Sequence, residues 1–417
     1  MREIFQCPTR IRLVSSHFPV INTYLSVSWT TLSKSFENST DELANSEMNR
    51  QIPYVNLKAQ WIDERASLLP LIENVLASGI YVGGEDVEEF ETAAAQLCGV
   101  QHVVALNSGT DALSCAMYAM GIGLGDEVIT TPNSFIASAA SIVQVGATPV
   151  FVDVSADQNI NVELIESAVT TKTRAIMPVH LTGRIANMSE ILEIGKNHNL
   201  QIVEDAAQAI GSRYKGQPSG SFGNTGCFST HPLKNLNACG DGGFVATNDK
   251  EIAKKITLRR NHGLIDRNRV DDFGLVSRMD TLQAVVLRYR LNRLPNVVQK
   301  RRRNAELYTD VLDRQYVYIA SEKDCEFNTY HTFVIQVDNR DNLREYLSSQ
   351  GIGTAIHYPV TIHQQPALKK MGYKLGDFPI AESQANRILT LPVNQYMTED
   401  EVVYVADQVN SFFHVRK

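Results

Sequence analysis

The stretch "HVVALNSGTDALSCAMYAM" (residues 102–120) decides the fold of this chain. Its opening residues, His102 to Leu106, form a short run that predicts a buried β-strand. The spacing of apolar residues from Asp111 to Met120 predicts an α-helix, and the small polar residues between the two predict a tight connection. A strand, a short turn and a helix in this order are the building unit of an α/β protein.

The same alternation of strand and helix continues toward the C-terminus. It predicts a mostly parallel sheet with helices on both faces. Ligands of such sheets bind at the carboxyl ends of the strands, so the residues that follow strands are the candidates for function. Further strands are predicted at Glu127–Thr131, Thr148–Val154, Arg174–His180, Gln201–Asp205, Gly242–Asp249 and Thr332–Asp338, and helices at Phe135–Gln144, Val162–Val169, Met188–His198, Lys254–Asn261 and from about Asp280 onward.

Length and local composition predict three segments. A chain of 417 residues is too long for one simple core. We therefore expect a large domain over residues 51–265 and a smaller C-terminal α/β domain over residues 266–417, which includes a connecting helix. Residues 1–50 are rich in Ser and Thr and show no capped helix pattern, which favours a disordered extension, or a translation start assigned upstream of Met48, over an organelle transit peptide.

Composition argues against several classes of function. The chain is 43% hydrophobic and 20% charged with a net charge of -7, and it has no apolar run of membrane-spanning length. These features argue against a nucleic-acid or membrane partner. The six cysteines show neither CxxC spacing nor His/Cys clusters, which predicts no metal site, no disulfide framework and a reducing, cytoplasmic location. No phosphate-binding GxxxxGK[ST] motif occurs, so nucleotide triphosphate hydrolysis is not indicated.

The first candidate site follows the opening strand. Ser108, Gly109 and Thr110 lie where the predicted helix begins, and free backbone amides at a helix N-terminus, with a glycine that permits close approach, can hold a phosphate. The alternative is a simple N-terminal cap by Ser108 or Thr110.

The second candidate site is the segment "VEDAAQ", in which Asp205 closes a predicted strand and Gln208 follows three residues later. An acid at the end of a buried strand is costly unless a cation or hydrogen bonds compensate its charge. Capping of the next helix is the alternative role of Asp205.

The third candidate is Lys234 in "CFSTHPLKNLNACGDGG" (residues 227–243), with Ser229 five residues before it. A lysine in a partly desolvated cleft has a lowered pKa, and the neutral amine can then act as a nucleophile. A surface salt bridge is the alternative.

Together these residues match the needs of pyridoxal 5'-phosphate, which requires a phosphate cradle, an acid for the ring nitrogen and a nucleophilic lysine. Asp205 would keep the pyridine nitrogen protonated, and Gln208 would hydrogen-bond the phenolate oxygen. Phe135, which also follows a strand, could stack on the ring, although core packing is an equal alternative for an aromatic residue there.

From about Ile52 to its end, the chain resembles the DegT/StrS family of pyridoxal-phosphate-dependent nucleotide-sugar aminotransferases. The matching motifs include "NSGTDAL", "VEDAAQAIGSRYKG", "CFSTHPLKNLNACGDGGFVAT", "SRMDTLQA" and "GIGTAIHYPVTIH". The resemblance implies the type I (aspartate aminotransferase) fold and a homodimer with shared active sites. It implies Lys234 as the Schiff-base lysine, Asp205 as the partner of the ring nitrogen, Gln208 as the phenolate contact and Phe135 as the stacking ring. Gly109, Thr110 and Ser229 would hold the phosphate.

Two positions refine this resemblance. Relatives that dehydrate sugars carry histidine where the aminotransferases carry the lysine, so Lys234 favours amino transfer. Family members commonly have an asparagine two residues before Arg278 that reaches the neighbouring subunit's cofactor phosphate, and this chain has Val276 there. The departure weakens the case for a phosphate contact from a partner chain, unless another residue near Arg278 serves.

The expected reaction moves an amino group from L-glutamate to a nucleotide-linked keto-deoxysugar. The resemblance favours a 3-keto-6-deoxyhexose. A keto-cyclitol aminotransferase and a regulatory sensor without turnover are the alternatives. Candidate substrate contacts are His331, His357, Tyr358, His363 and Arg278, and each histidine could equally be structural.

Overall fold

A computed structural model of the chain describes residues 50–414. The predicted extension over residues 1–50 lies outside this range except for Arg50. Within residues 50–414, none of the helices is both long enough and apolar enough to cross a bilayer. The predicted domain boundary near residue 265 stays a prediction.

The strands are short, and seven of them overlap the strands that the sequence predicts. They are β1 (His102–Leu106), β2 (Glu127–Thr130), β3 (Thr148–Phe151), β4 (Thr173–Ile176), β5 (Gln201–Asp205), β6 (Arg213–Tyr214), β7 (Gln217–Pro218), β8 (Thr225–Ser229), β9 (Gly243–Thr247), β10 (Leu264–Asp266), β11 (Arg269–Val270), β12 (Glu326–Phe327), β13 (Phe333–Gln336) and β14 (Ile388–Leu391).

The helices flank these strands. They are α1 (Leu57–Ser78), α2 (Glu85–Cys98), α3 (Gly109–Ala119), α4 (Ile136–Gln144), α5 (Met188–Asn197), α6 (Lys250–Arg259), α7 (Thr281–Val311), α8 (Arg340–Ser349), α9 (Pro379–Arg387) and α10 (Glu399–His414), with short 3-10 helices at Val162–Leu164, Glu166–Ala168, Leu181–Gly183, Ile362–Gln364 and Pro366–Met371.

The helix predicted over Val162–Val169 is wrong. The segment forms two separate 3-10 turns instead, and its backbone hydrogen bonds span three residues rather than four. The side chain of Asn161 starts the first turn by accepting from the backbone of Glu163 at 3.2 Å. Such local capping favours short turns over a continuing α-helix.

Seven strands form the central sheet in the order β1-β9-β8-β5-β4-β2-β3. The pairs from β8 to β3 are parallel, while β9 runs antiparallel to both β8 and β1. All strands of this central sheet except β9 therefore run in the same direction, and their carboxyl ends lie at one edge of the sheet. The prediction of a mostly parallel sheet is confirmed.

Both faces of the sheet are buried, which explains why its strands are continuously apolar. On β1, Val104 and Leu106 pack with α3 in one cluster, while Val103 and Ala105 face the opposite cluster. That second cluster contains Phe228 and Phe244, whose rings stack with centroids 4.6 Å apart. The resulting rigid sheet holds the strand ends in fixed positions.

The C-terminal part of the chain has an apolar cluster of its own. It joins the second half of α7 to β13, β14, α8 and α10, and Tyr308 stacks on Phe333 at 4.9 Å within it. The strand predicted at Thr332–Asp338 is present as β13 with shorter bounds.

Candidate active site

A cavity of about 460 Å³ lies at the edge where the carboxyl ends of the strands meet. Asp205 ends β5 and Ser229 ends β8, while Ser108 follows β1 by two residues. The sheet therefore brings together side chains that are far apart in sequence. The predicted site residues that line the cavity are Ser108, Gly109, Thr110, Phe135, Asp205, Gln208, Ser229, Lys234, His331, His357 and Tyr358.

The start of α3 forms one wall of the cavity. Ser108 is its N-terminal cap, and the hydroxyl of Ser108 accepts from the backbone of Asp111 at 3.1 Å. A Cβ atom on Gly109 would lie 2.7 Å from the Cβ of Ser229, so only glycine lets the start of α3 approach the end of β8 this closely. Capping and phosphate binding are compatible here, because the cap leaves other amides of the first turn free.

The loop that carries Lys234 is held at both ends. The backbone of Lys234 donates to the carbonyl of His231 at 2.8 Å, which closes a tight turn. Thr230 donates to Gly242 at 2.9 Å and accepts from Ala238 at 2.7 Å, so the loop returns directly from β8 to β9. The position of the lysine backbone is therefore fixed by the sheet itself.

A buried polar network supports this loop from below. The amides of Asn237 and Gln60 pair reciprocally at 3.0 Å, and Asn237 also donates to the carbonyl of Pro232 at 2.9 Å. Arg290 donates to the carbonyl of Asn237 at 2.7 Å and binds Glu64 through two nitrogens at 2.7 and 2.9 Å. Each buried polar group in this network has a partner, so the loop has little freedom.

Asp205 is buried and faces Lys234 across the cavity. One carboxylate oxygen accepts from the hydroxyl of Ser138 at 2.7 Å, and the other accepts from the backbone of Ala207 at 3.2 Å. Burial raises the pKa of Asp205, while the bond from Ser138, the bond from Ala207 and the charge of Lys234 act in the opposite direction. A cationic ligand group beside this carboxylate would offset the cost of burying its charge.

Lys234 has an electrostatic environment that suits a nucleophile. Desolvation lowers its pKa to about 8, although the nearby charge of Asp205 acts to raise it. Within residues 50–414 the amine makes no ion pair closer than 4.0 Å, so the surface salt bridge considered as an alternative is absent from this part of the chain. A sizeable fraction of the amine is neutral near pH 8.

Gln208 and Phe135 lie on either side of Tyr358. The Oε1 atom of Gln208 accepts from the backbone of Thr182 at 2.8 Å, and its Nε2 atom approaches the hydroxyl of Tyr358 at 3.5 Å. The ring centroids of Phe135 and Tyr358 are 5.7 Å apart. Phe135 is 53% exposed, so it is not a core residue, and its ring can contact a ligand.

His331 and His357 face the cavity as neutral imidazoles. Burial and the charge of Lys234 lower the pKa of His357 to about 4, and burial lowers the pKa of His331 well below its usual range. The Nδ1 atom of His357 lies 3.1 Å from the hydroxyl of Thr390, which fixes the ring. Neither histidine supplies positive charge at neutral pH.

The structure does not bring His363 or Arg278 to the cavity wall. His363 is buried and bonded to Glu382 at 3.0 Å, and this carboxylate also accepts from backbone amides near Gly376. That network joins two surface segments and explains the histidine structurally. Arg278 donates to the side chain of Asn261 at 3.0 Å.

The segment around Val276 lies beside the start of α3 of its own chain. Val276 is exposed and forms a β-bridge with Asn261. The next residue, Ser277, donates to the side chain of Asn107 at 3.0 Å, directly before Ser108. The residue next to Val276, the position at which relatives commonly have asparagine, therefore contacts the residue that precedes the start of α3.

Several residues of the site were missed by the sequence reasoning. Ser138 bonds Asp205, and Tyr54 and Arg301 line the cavity. Ser138 lies in the first turn of α4, three residues after Phe135, so its position on the same helix end was a usable signal. Arg301 is one of four consecutive basic residues, and nothing local in that run marks it as the buried one.

The fold and the site together define an α/β protein that presents a lysine and a carboxylate at the carboxyl edge of its sheet. The chain belongs to the DegT/DnrJ/EryC1/StrS aminotransferase family, whose model matches residues 63–410. It is 38% identical over 364 residues to the dTDP-3-amino-3,4,6-trideoxy-alpha-D-glucose transaminase of Streptomyces venezuelae, covering 87% of this chain and 96% of that protein. It is 37% identical over 366 residues to a pleiotropic regulatory protein of Geobacillus stearothermophilus, covering 87% and 98%.

Solved structures show the same fold. DesV of S. venezuelae in complex with a ketimine intermediate superposes with a TM-score of 0.86 at 38% identity, over 87% of this chain and 99% of that chain. The Bacillus subtilis protein ntda with bound cofactor pmp superposes with a TM-score of 0.80 at 29% identity, over 89% and 87%. The predicted fold class is confirmed.

Proposed function

We propose that this protein is a pyridoxal-phosphate-dependent aminotransferase that moves an amino group from L-glutamate to the ketone of a nucleotide-linked deoxysugar. One observation carries the proposal: Lys234 and Asp205 face the same cavity, beside the free amides at the start of α3. The lysine has a lowered pKa and the acid is buried, which are the two properties that this chemistry needs.

The residues at the cavity wall fit the cofactor. Gly109 packs so tightly against Ser229 that a Cβ atom would not fit, and both residues line the cavity at the N-terminus of α3, whose first-turn amides could bind a phosphate. Ser108, Thr110 and Ser229 would add hydroxyl groups for a phosphate. Phe135 would cover one face of the ring, and Gln208 would bind an oxygen without adding charge. When bound, pyridoxal phosphate supplies an electron sink for the carbanion formed as the α-proton leaves.

The chain's own residues then have separate tasks. Asp205 would hold a proton on the ring nitrogen of the cofactor, because its buried negative charge favours a cationic partner. Ser138 orients that carboxylate through its hydrogen bond. Lys234 accepts and returns a proton as a general base and acid, and its lowered pKa keeps it effective near neutral pH.

The substrate class rests on the relatives. The transaminase of S. venezuelae acts on a dTDP-linked amino sugar of the 3-amino-deoxy type. Because this chain is similar to that transaminase, we propose a 3-keto-6-deoxyhexose as its amino acceptor. Tyr54, His331 and His357 would bind hydroxyl groups of the sugar, since neutral imidazole and phenol groups both donate and accept hydrogen bonds.

We further propose that the protein works as a homodimer in the cytoplasm. The helix α1 exposes several large apolar side chains, including Trp61, Leu69 and Leu76, and a partner subunit would cover such a surface. Each cysteine within residues 50–414 is a free thiol, which fits a reducing compartment. Light scattering on the purified protein tests the dimer directly.

A regulatory sensor without turnover is the second candidate, because one related protein is named as a pleiotropic regulator. The joint presence of Lys234, Asp205 and the phosphate cradle favours an enzyme, since a sensor needs no proton-transfer group.

One experiment separates the candidates. Protein loaded with pyridoxal phosphate is treated with borohydride, and peptide mass mapping is expected to find the cofactor mass on Lys234. A separate sample of loaded protein, not treated with borohydride, is incubated with L-glutamate and a panel of keto sugars and keto-inositols. Amino transfer to a nucleotide-linked keto sugar supports the proposal, transfer to a keto-inositol identifies a cyclitol enzyme, and bound cofactor without turnover favours the sensor.

A further inference from the structure

Arg301 occupies an unusual position in the cavity wall. It lies on α7 and is only 5% exposed, yet it lines the same cavity as Lys234. A second, smaller cavity behind the lysine loop is also lined by both Arg301 and Lys234. Arg301 and Lys234 therefore contribute to the walls of the same two cavities.

The guanidinium group of Arg301 has few partners. Its Nη1 atom donates to the carbonyls of Tyr330 and His331, both at 3.2 Å, and its Nε atom has no hydrogen-bond partner. Among residues 50–414, no carboxylate oxygen lies within 4.0 Å of it. Burying a cation without a counter-charge is costly, and this burial lowers the pKa of Arg301 to about 10.

Arg290 on the same helix provides a comparison. It is also buried, but Glu64 binds it through two hydrogen bonds and the carbonyl of Asn237 accepts a third. The helix thus carries one buried arginine with its anion in place and one whose anion is missing from the described chain. The ion pair with Glu64 explains why Arg290 is buried, whereas no such ion pair explains the burial of Arg301.

We propose that Arg301 binds the α-carboxylate of the amino donor, an inference that rests on the proposed function. The donor's reacting nitrogen must reach Lys234, and its α-carboxylate is attached to the same carbon as that nitrogen. A guanidinium group on the wall of the same cavity is therefore where this carboxylate would arrive. The Nη1 and Nε atoms are occupied or enclosed, so Nη2 is the donor left for a carboxylate, and the neutral His331 and His357 offer no competing charge.

The test measures single turnovers of the cofactor-loaded protein against L-glutamate concentration. Arg301→Met is expected to raise the half-saturating concentration by about 100-fold, and Arg301→Lys by about tenfold, because the lysine keeps the charge but loses the planar guanidinium group. The limiting rate is expected to change much less. Arg303→Met, an exposed neighbour on the same helix, serves as the control and should behave like wild type.

Two donor analogues identify the carboxylate that is bound. L-glutamine keeps the α-carboxylate and should lose affinity in Arg301→Met as strongly as L-glutamate does. L-isoglutamine has an α-amide, and the substitution should leave its weak binding unchanged. Equal losses for both analogues would overturn the assignment.

A diphosphate is the other anion that could reach this arginine. Calorimetric titration with dTDP and UDP distinguishes the sources, and we expect both affinities to be the same in wild type and Arg301→Met. Weaker nucleotide binding together with unchanged glutamate dependence would overturn the proposal, and so would no change in either.

Binding of α-methyl-L-glutamate, which has no α-proton to lose, separates this inference from the proposed function. If wild type does not turn over L-glutamate, the proposed function fails. Weaker binding of the analogue to Arg301→Met than to wild type would still support the site. Equal binding to both proteins would overturn it.

Discussion

The two acids that end β5 are adjacent in sequence and buried to a similar extent, yet they belong to different regions of the molecule. Glu204 faces away from the cavity and has four hydrogen-bond donors, namely His180 at 3.0 Å and the backbone amides of Gly220, Phe222 and Gly223 at 2.7 to 2.8 Å.

Asp205, one residue later, turns to the opposite side, as alternation along a strand requires. It has two donors and faces Lys234. A full set of donors marks a buried acid that holds the fold together. An incomplete set, open to a cavity, marks an acid that is available to a ligand. The following predictions test this distinction.

The largest effect is expected at the residue that Asp205 faces. Lys234→Ala removes both the nucleophile and the proton-transfer group, so amino transfer should fall by about 10⁴-fold or more. Single-turnover kinetics measures the loss, while thermal unfolding should show an intact fold. Lys254→Ala, at an exposed position of α6, is the control and should retain full activity. Equal activity in both variants would contradict the role of Lys234.

Asp205→Asn should lower the rate of amino transfer by about 100- to 1000-fold, because the neutral amide cannot hold a proton on the ring nitrogen. Its free energy of unfolding should stay the same or rise, since a costly buried charge is removed. Urea unfolding of the cofactor-free protein and single-turnover rates provide the two measurements. A variant that is destabilised and fully active would place Asp205 with the structural acids.

Glu204→Gln should show the opposite pattern. Both oxygens of Glu204 accept backbone N–H groups, so either orientation of the new amide directs its NH₂ group at a donor. We expect the free energy of unfolding to fall by about 3 kcal/mol, with the rate per folded molecule nearly unchanged. Glu193→Gln, at an exposed position of α5, is the matched control. Unchanged stability would contradict the structural role.

The smallest effect concerns pH. Only the neutral amine of Lys234 can react with the cofactor, and its pKa is lowered to about 8. Capture of pyridoxal phosphate by the cofactor-free protein should therefore accelerate by about tenfold from pH 7 to pH 9 and then level off. Stopped-flow absorbance measures the rate. A rate that keeps rising steeply above pH 9 would mean that the amine has its ordinary pKa.

Much of the fold was predictable because the pattern that sets it is local. The strand, turn and helix of residues 102–120 appear within two residues of their predicted bounds, since burial on both faces demands a continuous apolar run. The direction of β9 was not predictable, because a glycine-bounded apolar run looks the same in either orientation. The helix predicted over Val162–Val169 was wrong because side-chain capping outweighed the apolar spacing of this segment.

The site was predictable where its residues follow strands, and otherwise not. Asp205 and Lys234 share a cavity because the sheet aligns its carboxyl ends. The partners that tune them come from distant segments: Ser138 lies 67 residues before Asp205. The sequence left His363 open between substrate contact and structural histidine, because Glu382, to which it is bonded, becomes its neighbour only in the folded chain. No local pattern reports such contacts.

The antiparallel direction of β9 has a consequence for engineering. Because β8 and β9 are consecutive and paired, residues 230–242 form a hairpin connection whose two ends are hydrogen-bonded to each other. Such a connection can be exchanged between relatives with the strands left untouched, provided that Asn237 is kept to bind Gln60 and Arg290. Grafts of longer or shorter versions would move the reactive amine relative to a stationary cavity. The reach of the nucleophile thus becomes a variable that can be adjusted without redesigning the scaffold.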